Sequence, residues 1–285
     1  MANRFNVFRS PYYYLTIQQL ERSYRLGKEK KFFSRYLLDV RPQADSRPFP
    51  NRFLRWLKLH EIYKSTGSRI YSLLMSGEIV VLVVFLEAVV ISIFLLLLPL
   101  VLTVKKVKES RHIFYFFTIG TGFMFLEIYY IKALTLVFGS PIISLTVVLT
   151  GILAFSGMGG FYSSKFNRQH LKYILIATLL LLAISLWCFN ISLPKILTGS
   201  TPLQYVLSLL LILPSGILIG IPFPLGMRCL LKNPEQRAYA WAANGCASVL
   251  TAIVSAQIAL SVGIPAVGAC AFLSYLLAFF YLTRH

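Results

Sequence analysis

The stretch "GTGFMFLEIYYIKALTLVFGSP", Gly120 to Pro141, decides the fold. It stays mainly apolar for about 20 residues, the length a helix needs to cross about 30 Å of hydrocarbon at 1.5 Å per residue. It nevertheless carries Glu127 and Lys132. A charge near the bilayer centre costs at least about 2.5 kcal/mol on insertion scales, so a helix that keeps one turns it toward the bundle interior. Gly120, Met124, Glu127 and Ile131 fall on one helical stripe, and Gly120 and Gly122 admit a neighbouring helix closely. Lys132 lies about 140° around the helix from Glu127 and is not its natural partner. It either snorkels toward an interface or meets Glu87 of an earlier segment. Two readings of Glu127 stay open: a polar site for a proton, a cation or an amine, or an ion pair that fixes helix packing.

Working outward, the rest of the chain has the same character. Of 285 residues, 57% are hydrophobic and 13% charged, with a mean hydropathy of +0.70; a soluble domain carries about 25% charged residues. The apolar blocks run from Ile79 to the C-terminus. The fold class is therefore all-α, a polytopic bundle of about seven transmembrane helices, expected near 79–104, 113–138, 142–162, 171–189, 203–227, 239–260 and 264–282. Residues 78–285 make up this membrane domain.

Residues 1–77 read as a basic extramembrane segment, with 15 Lys/Arg against five Asp/Glu. Thr16 and Gln19 fit a capping box for a helix through about Glu29. The proline-broken "RPQADSRPFPN" (41–51) then connects to "RFLRWLKLHEIYK" (52–64), whose mixture of Arg55, Lys58, Trp56 and Ile62 suits an interfacial or linker helix. The chain's net charge is +18. Beside so many membrane segments, this surplus marks cytoplasmic flanks and contact with anionic lipid rather than nucleic acid. No apolar core follows the basic start, so no signal peptide is expected.

The odd-numbered loops hold Lys105, Lys106, Lys108, Arg111, Lys165, Arg168, Lys172, Arg228, Lys232 and Arg237; the even-numbered loops hold Lys195. The positive-inside rule puts the odd loops and the C-terminus in the cytoplasm, in a cell (inner) membrane. Seven crossings would send residues 1–77 outside despite their charge. Either that segment is translocated, or 79–104, with Glu87 and Pro99, re-enters without crossing.

Three further stretches invite chemistry. In "AYAWAANGCASVLTAIVSA" (238–256), Asn244, Ser248, Thr251 and Ser255 form one polar stripe, either an interhelical hydrogen-bonding seam or the wall of a cavity opposite Glu127. In "LPSGILIGIPFPLGMR" (213–228), Pro222, Pro224 and Gly226 mark a helix break, which either exposes backbone to a ligand or ends a helix at the interface. In "FSGMGGFYSSKFNR" (155–168) the glycines fit a loosened helix end with a basic flank better than a phosphate loop. The four cysteines and four histidines form no cluster of metal-ligand spacing. No catalytic residue, cofactor site or metal site is legible, and whether the chain belongs to an enzyme is left open.

"GTGFMFLEI" (120–128), "FPLGMR" (223–228) and "WAANGCASVL" (241–250), in that order, resemble the membrane part of bacterial spermidine synthase-like proteins. "ADSRPF" (44–49) is similar to the "TDDRPF" linker that follows this family's aminopropyltransferase-type catalytic domain, with Ala44 and Ser46 in place of its threonine and second aspartate. The resemblance covers about 40–282, and residues 1–39 resemble the tail of the catalytic domain. It implies a C-terminal membrane module, separately encoded or part of a longer fused enzyme. The family's catalytic and cofactor-binding residues lie upstream of Met1, so none is carried over. Two functions follow as expectations. One is binding or movement of a polyamine-like cation through Glu127, with Asn244, Ser248, Glu87 and Lys132. The other is a membrane anchor for an aminopropyltransferase-like or methyltransferase-like catalytic domain.

Overall fold

The computed structural model describes residues 12–36, 39–42, 48, 54–66, 77–94, 98, 111–197 and 199–283. The described residues are helical throughout their regular structure and divide into two compact units.

In the N-terminal unit, α1 (Tyr12–Arg25) turns at Gly27, whose φ of 62° suits a residue without Cβ, into α2 (Glu29–Ser34). α1 starts before the expected capping box, so Thr16 and Gln19 lie inside the helix. α3 (Leu59–Thr66) follows a 3-10 turn at Trp56–Lys58. Phe32, Phe33, Leu54 and Ile62 are its buried apolar residues. The basic residues of 52–64 have a structural task here: Arg55 Nη2 donates to Phe33 O at 2.6 Å and Lys58 Nζ to Ser34 O at 3.5 Å. Both cap the carbonyl end of α2, where cations are favoured. Asp39 accepts from Arg41 Nε at 2.7 Å, and this hydrogen bond pushes the guanidinium above its ordinary value.

The second unit, from Val81 onward, holds the membrane helices. α4 (Gly77–Ser92) carries the short apolar run Ile79–Ser92, with its first turn assigned to the N-terminal unit. Six further segments are long and apolar enough to cross a membrane: His112–Phe138, Pro141–Lys165, Arg168–Phe189, Thr201–Cys229, Pro234–Ser261 and Ile264–Thr283. They belong to α5 (Arg111–Phe138), α6 (Pro141–Tyr162), α7 (Arg168–Leu197), α8 (Thr201–Gly220) with α9 (Pro222–Cys229), α10 (Pro234–Ser261) and α11 (Ile264–Thr283). Six spans are thus found among the described residues where seven were expected. α4 alone is about 24 Å long; residues 95–97 and 99–110, which the expected first span also includes, lie outside the described set.

α5 is the hub, packed on α10 and α11 most extensively and also on α6, α7, α8 and α9. Its Tyr115, Phe116, Leu126, Tyr129, Tyr130 and Leu134 are buried. Outward-facing Ile142, Leu153, Phe161, Leu180, Trp187 and Leu210 are each more than half exposed. So much outward apolar surface needs a lipid solvent, and the chain is a multi-pass membrane protein.

Several contacts fix helix directions. At one end Phe114 meets Tyr281, Phe116 meets Phe223, and Phe223 meets Trp241. Arg228 at the tip of α9 donates to Ser163 O at 2.9 Å and also to Phe166 O, capping the end of α6. This basic end collects the starts of α5, α7 and α10 and the ends of α6, α9 and α11. α10 therefore runs parallel to α5, and α11 antiparallel to it.

α6 and α8 cross with their backbones touching. A Cβ on Gly159 would land on the Ile217 carbonyl oxygen, and one on Gly220 on the Ser156 carbonyl. Gly216 takes the Phe155 side chain, where a Cβ would come within 2.8 Å of the Phe155 Cβ. Small residues four apart permit such an approach. The glycines of 155–160 thus continue a helix and serve a crossing.

Candidate functional site

Glu127 lies on α5 about 24 Å along the axis from its start and about 17 Å from its end. Its burial is nearly complete, at 8% exposure. Among the described residues it makes no hydrogen bond and no ion pair, with Lys132 or with any other side chain. Lys132 is half-buried, and Glu87 is exposed on α4.

The stripe Gly120–Met124–Glu127–Ile131 is gripped above and below the carboxylate. Below, α10 comes so near that a Cβ on Gly120 would lie 2.5 Å from Asn244 Nδ2. Asn244 Nδ2 donates to Phe116 O at 3.2 Å. Above, Ser144 Oγ of α6 donates to Ile131 O at 2.6 Å. Glu127 sits between these contacts, where the stripe passes from α10 to α6.

Asn244 therefore packs opposite Gly120, not opposite Glu127. The parallel α10 brings a different residue to the carboxylate's level. Seven residues separate Gly120 from Glu127 and Asn244 from Thr251, so both helices advance about 10.5 Å over that step. Thr251 is buried at 5% exposure and is the polar residue of α10 at that level. Ser248 Oγ donates to Asn244 O at 2.9 Å and Ser255 Oγ to Ala252 O at 2.7 Å. Each spends its proton on its own helix and keeps lone pairs for a donor between the helices.

The helix break falls at Ile221, between α8 and α9. Pro222 and Pro224 bring no N–H. The Pro222 carbonyl accepts from the Tyr115 hydroxyl at 3.2 Å. Gly226 makes room for the same ring, since a Cβ there would come within 2.8 Å of Tyr115 Cε1. Tyr115 thus seals the break against α5.

A second polar centre left no trace in the sequence reading. Tyr130 hydroxyl lies 2.7 Å from Ser185 Oγ of α7 and 2.9 Å from Ser215 Oγ of α8. Ser185 Oγ also lies 3.3 Å from Leu211 O, and Ser215 Oγ donates to Ile212 O at 2.9 Å. Pro214 stands inside α8, where it removes a backbone donor. The two serines thus place hydroxyls at the Leu211 and Ile212 carbonyls, in the turn that precedes Pro214. The available signal was Pro214 beside Ser215, with a serine in the neighbouring helix.

Among the described residues no three His, Cys, Asp or Glu side chains gather where they could hold a metal ion. Compared with known proteins, the chain matches no family model, no curated protein and no solved structure.

Proposed function

We propose that this multi-pass membrane protein binds or moves a cationic small molecule of the polyamine class through Glu127. One observation carries the reading: a carboxylate buried near the middle of the hub helix has neither a cation nor a hydrogen-bond donor among the described residues. An ionisable group at such a depth marks a functional site unless it is paired. An ammonium group supplies both the missing charge and the missing donors. Thr251 and Ser248 offer hydroxyl acceptors to its remaining hydrogens. The resemblance of three membrane motifs to spermidine synthase-like proteins makes spermidine the first ligand to try.

The test is equilibrium binding of labelled spermidine to the purified chain in lipid nanodiscs. Saturable binding is expected, weakened at least about thirtyfold in Glu127→Gln, as when one member of a buried charge pair is truncated. Equal binding by both proteins, each with an unchanged elution profile, sinks the reading.

A second reading draws on the separate N-terminal unit, in which α1–α3 form a compact basic body. In it the membrane helices anchor an aminopropyltransferase-like or methyltransferase-like catalytic domain, and Glu127 is dispensable. In both readings the basic end faces the cytoplasm of a cell membrane, following the positive-inside rule.

A further inference from the structure

At the basic end, α5, α7 and α11 leave a cleft of about 480 Å³. His112, Tyr115, Arg168, Gln169, Lys172 and Tyr281 line it, with Leu230 and Leu282 at its apolar edge, and none of these is acidic. We propose that this cleft binds a phosphate-bearing anion.

Three arrangements around the cleft are electrostatically unfavourable by themselves, and one bound anion reverses all three. Arg168 and Lys172 stand four residues apart on α7, where like charges repel. Both sit in the first turns of that helix, where the positive end of the macrodipole disfavours cations. At the start of α7 the N–H groups of Asn167 and His170 have acceptors, His170 Nδ1 and the Asn167 carbonyl, and those of Arg168 and Gln169 are the ones without an intrahelical acceptor. A phosphate between the two side chains takes charge-assisted hydrogen bonds from each, and the Gln169 amide adds a neutral donor. Tyr115, 1% exposed, forms the floor.

Depth and shape define the ligand further. The cleft lies where the spans beginning at His112 and Arg168 and the span ending at Thr283 reach their limits, the level of lipid headgroups. Its volume falls within the range of small-molecule sites. Leu230 and Leu282 would meet the apolar part of a phosphate ester. Basic pockets between membrane helices hold anionic headgroups in this way. A lipid headgroup and a water-soluble phosphate compound share the chemistry, and experiment separates them.

The purified chain is placed in neutral phosphatidylcholine nanodiscs, with or without phosphatidylglycerol, and thermal unfolding and lipid retention in native mass spectra are recorded. Phosphatidylglycerol is expected to raise the melting temperature and to leave a retained lipid. Arg168→Gln with Lys172→Gln should weaken retention at least about tenfold, because each basic residue at a membrane surface contributes about fivefold. The charge-preserving pair Arg168→Lys with Lys172→Arg should restore it, which separates loss of charge from loss of fold. Arg237→Gln on α10, outside the cleft, should change nothing. Millimolar inorganic phosphate in neutral nanodiscs forms the other arm. If it reproduces the stabilisation with the same dependence on Arg168 and Lys172, the site is real and its ligand is water-soluble. No response to either probe, or an equal loss in Arg237→Gln, overturns the proposal.

Discussion

Glu127 and Tyr130 stand one turn apart on α5 and meet burial in opposite ways. The Tyr130 hydroxyl has two serine partners, whereas the Glu127 carboxylate has none among the described residues. The difference separates a structural polar group from one open to a ligand. Tyr130→Phe should cost about 0.6–1.7 kcal/mol, the range for interhelical hydrogen bonds in membranes, seen as a lower melting temperature in detergent. Glu127→Gln, in the absence of ligand, should leave the melting temperature unchanged or higher. A structural ion pair would instead lose about 3–5 kcal/mol when one partner is removed, so a large drop would favour the packing reading. Glu127 was legible because a carboxylate in an apolar run stands out on composition alone. Tyr130 was not, because a tyrosine in such a run counts as apolar until its partners from α7 and α8 arrive.

Among the elements, the α6–α8 crossing has the tightest geometry. Gly157, Gly159 and Gly160 look alike in the sequence, but of the three only Gly159 leaves no room for a Cβ; one on Gly160 would lie in ordinary contact, 3.8 Å from the Gly220 carbonyl oxygen, and nothing lies within 4 Å of one on Gly157. Gly159→Ala and Gly220→Ala should each force the two helices apart and cost about 1–3 kcal/mol or more. Gly157→Ala should be neutral, or stabilising by up to about 1 kcal/mol from helix propensity. Parallel melting curves of the three variants check this, and equal losses would contradict the crossing. Sequence reading placed these glycines at a helix end because the carbonyls they touch lie about 60 residues later in the chain. The same remoteness hid the capping of α6 by Arg228. The polar stripe of α10 was visible from its period, but its register against α5 was not. Only the Gly120–Asn244 contact shows that Thr251, rather than Asn244, reaches the level of Glu127.

At the scale of the whole molecule, the six spans found among the described residues place their connections alternately on two faces. The turns at 163–167 and 230–233 share one face, and those at 139–140, 199–200 and 262–263 the other. On the proposed orientation, with the basic end in the cytoplasm, a membrane-impermeant maleimide should label Ser200→Cys in intact spheroplasts and Ser164→Cys only after lysis. Both positions are exposed in the fold. Labelling of both from the same side would refute the six-span arrangement. The segments themselves were legible because about 20 apolar residues in a row have few other fates. Of the expected segment 79–104, only residues 79–94 and 98 belong to the described set.

The hub position of α5 also has a consequence in time. α5 is the first of the six spans to be synthesised, and α10 and α11, its most extensive partners, are the last. At about 5–20 residues per second, roughly 100 residues must leave the ribosome between the end of α5 and the start of α10, an interval on the order of ten seconds. Throughout it the helix bearing Glu127 has no α10 to cover it. The face of α5 that packs most extensively is therefore covered only when the final two helices arrive.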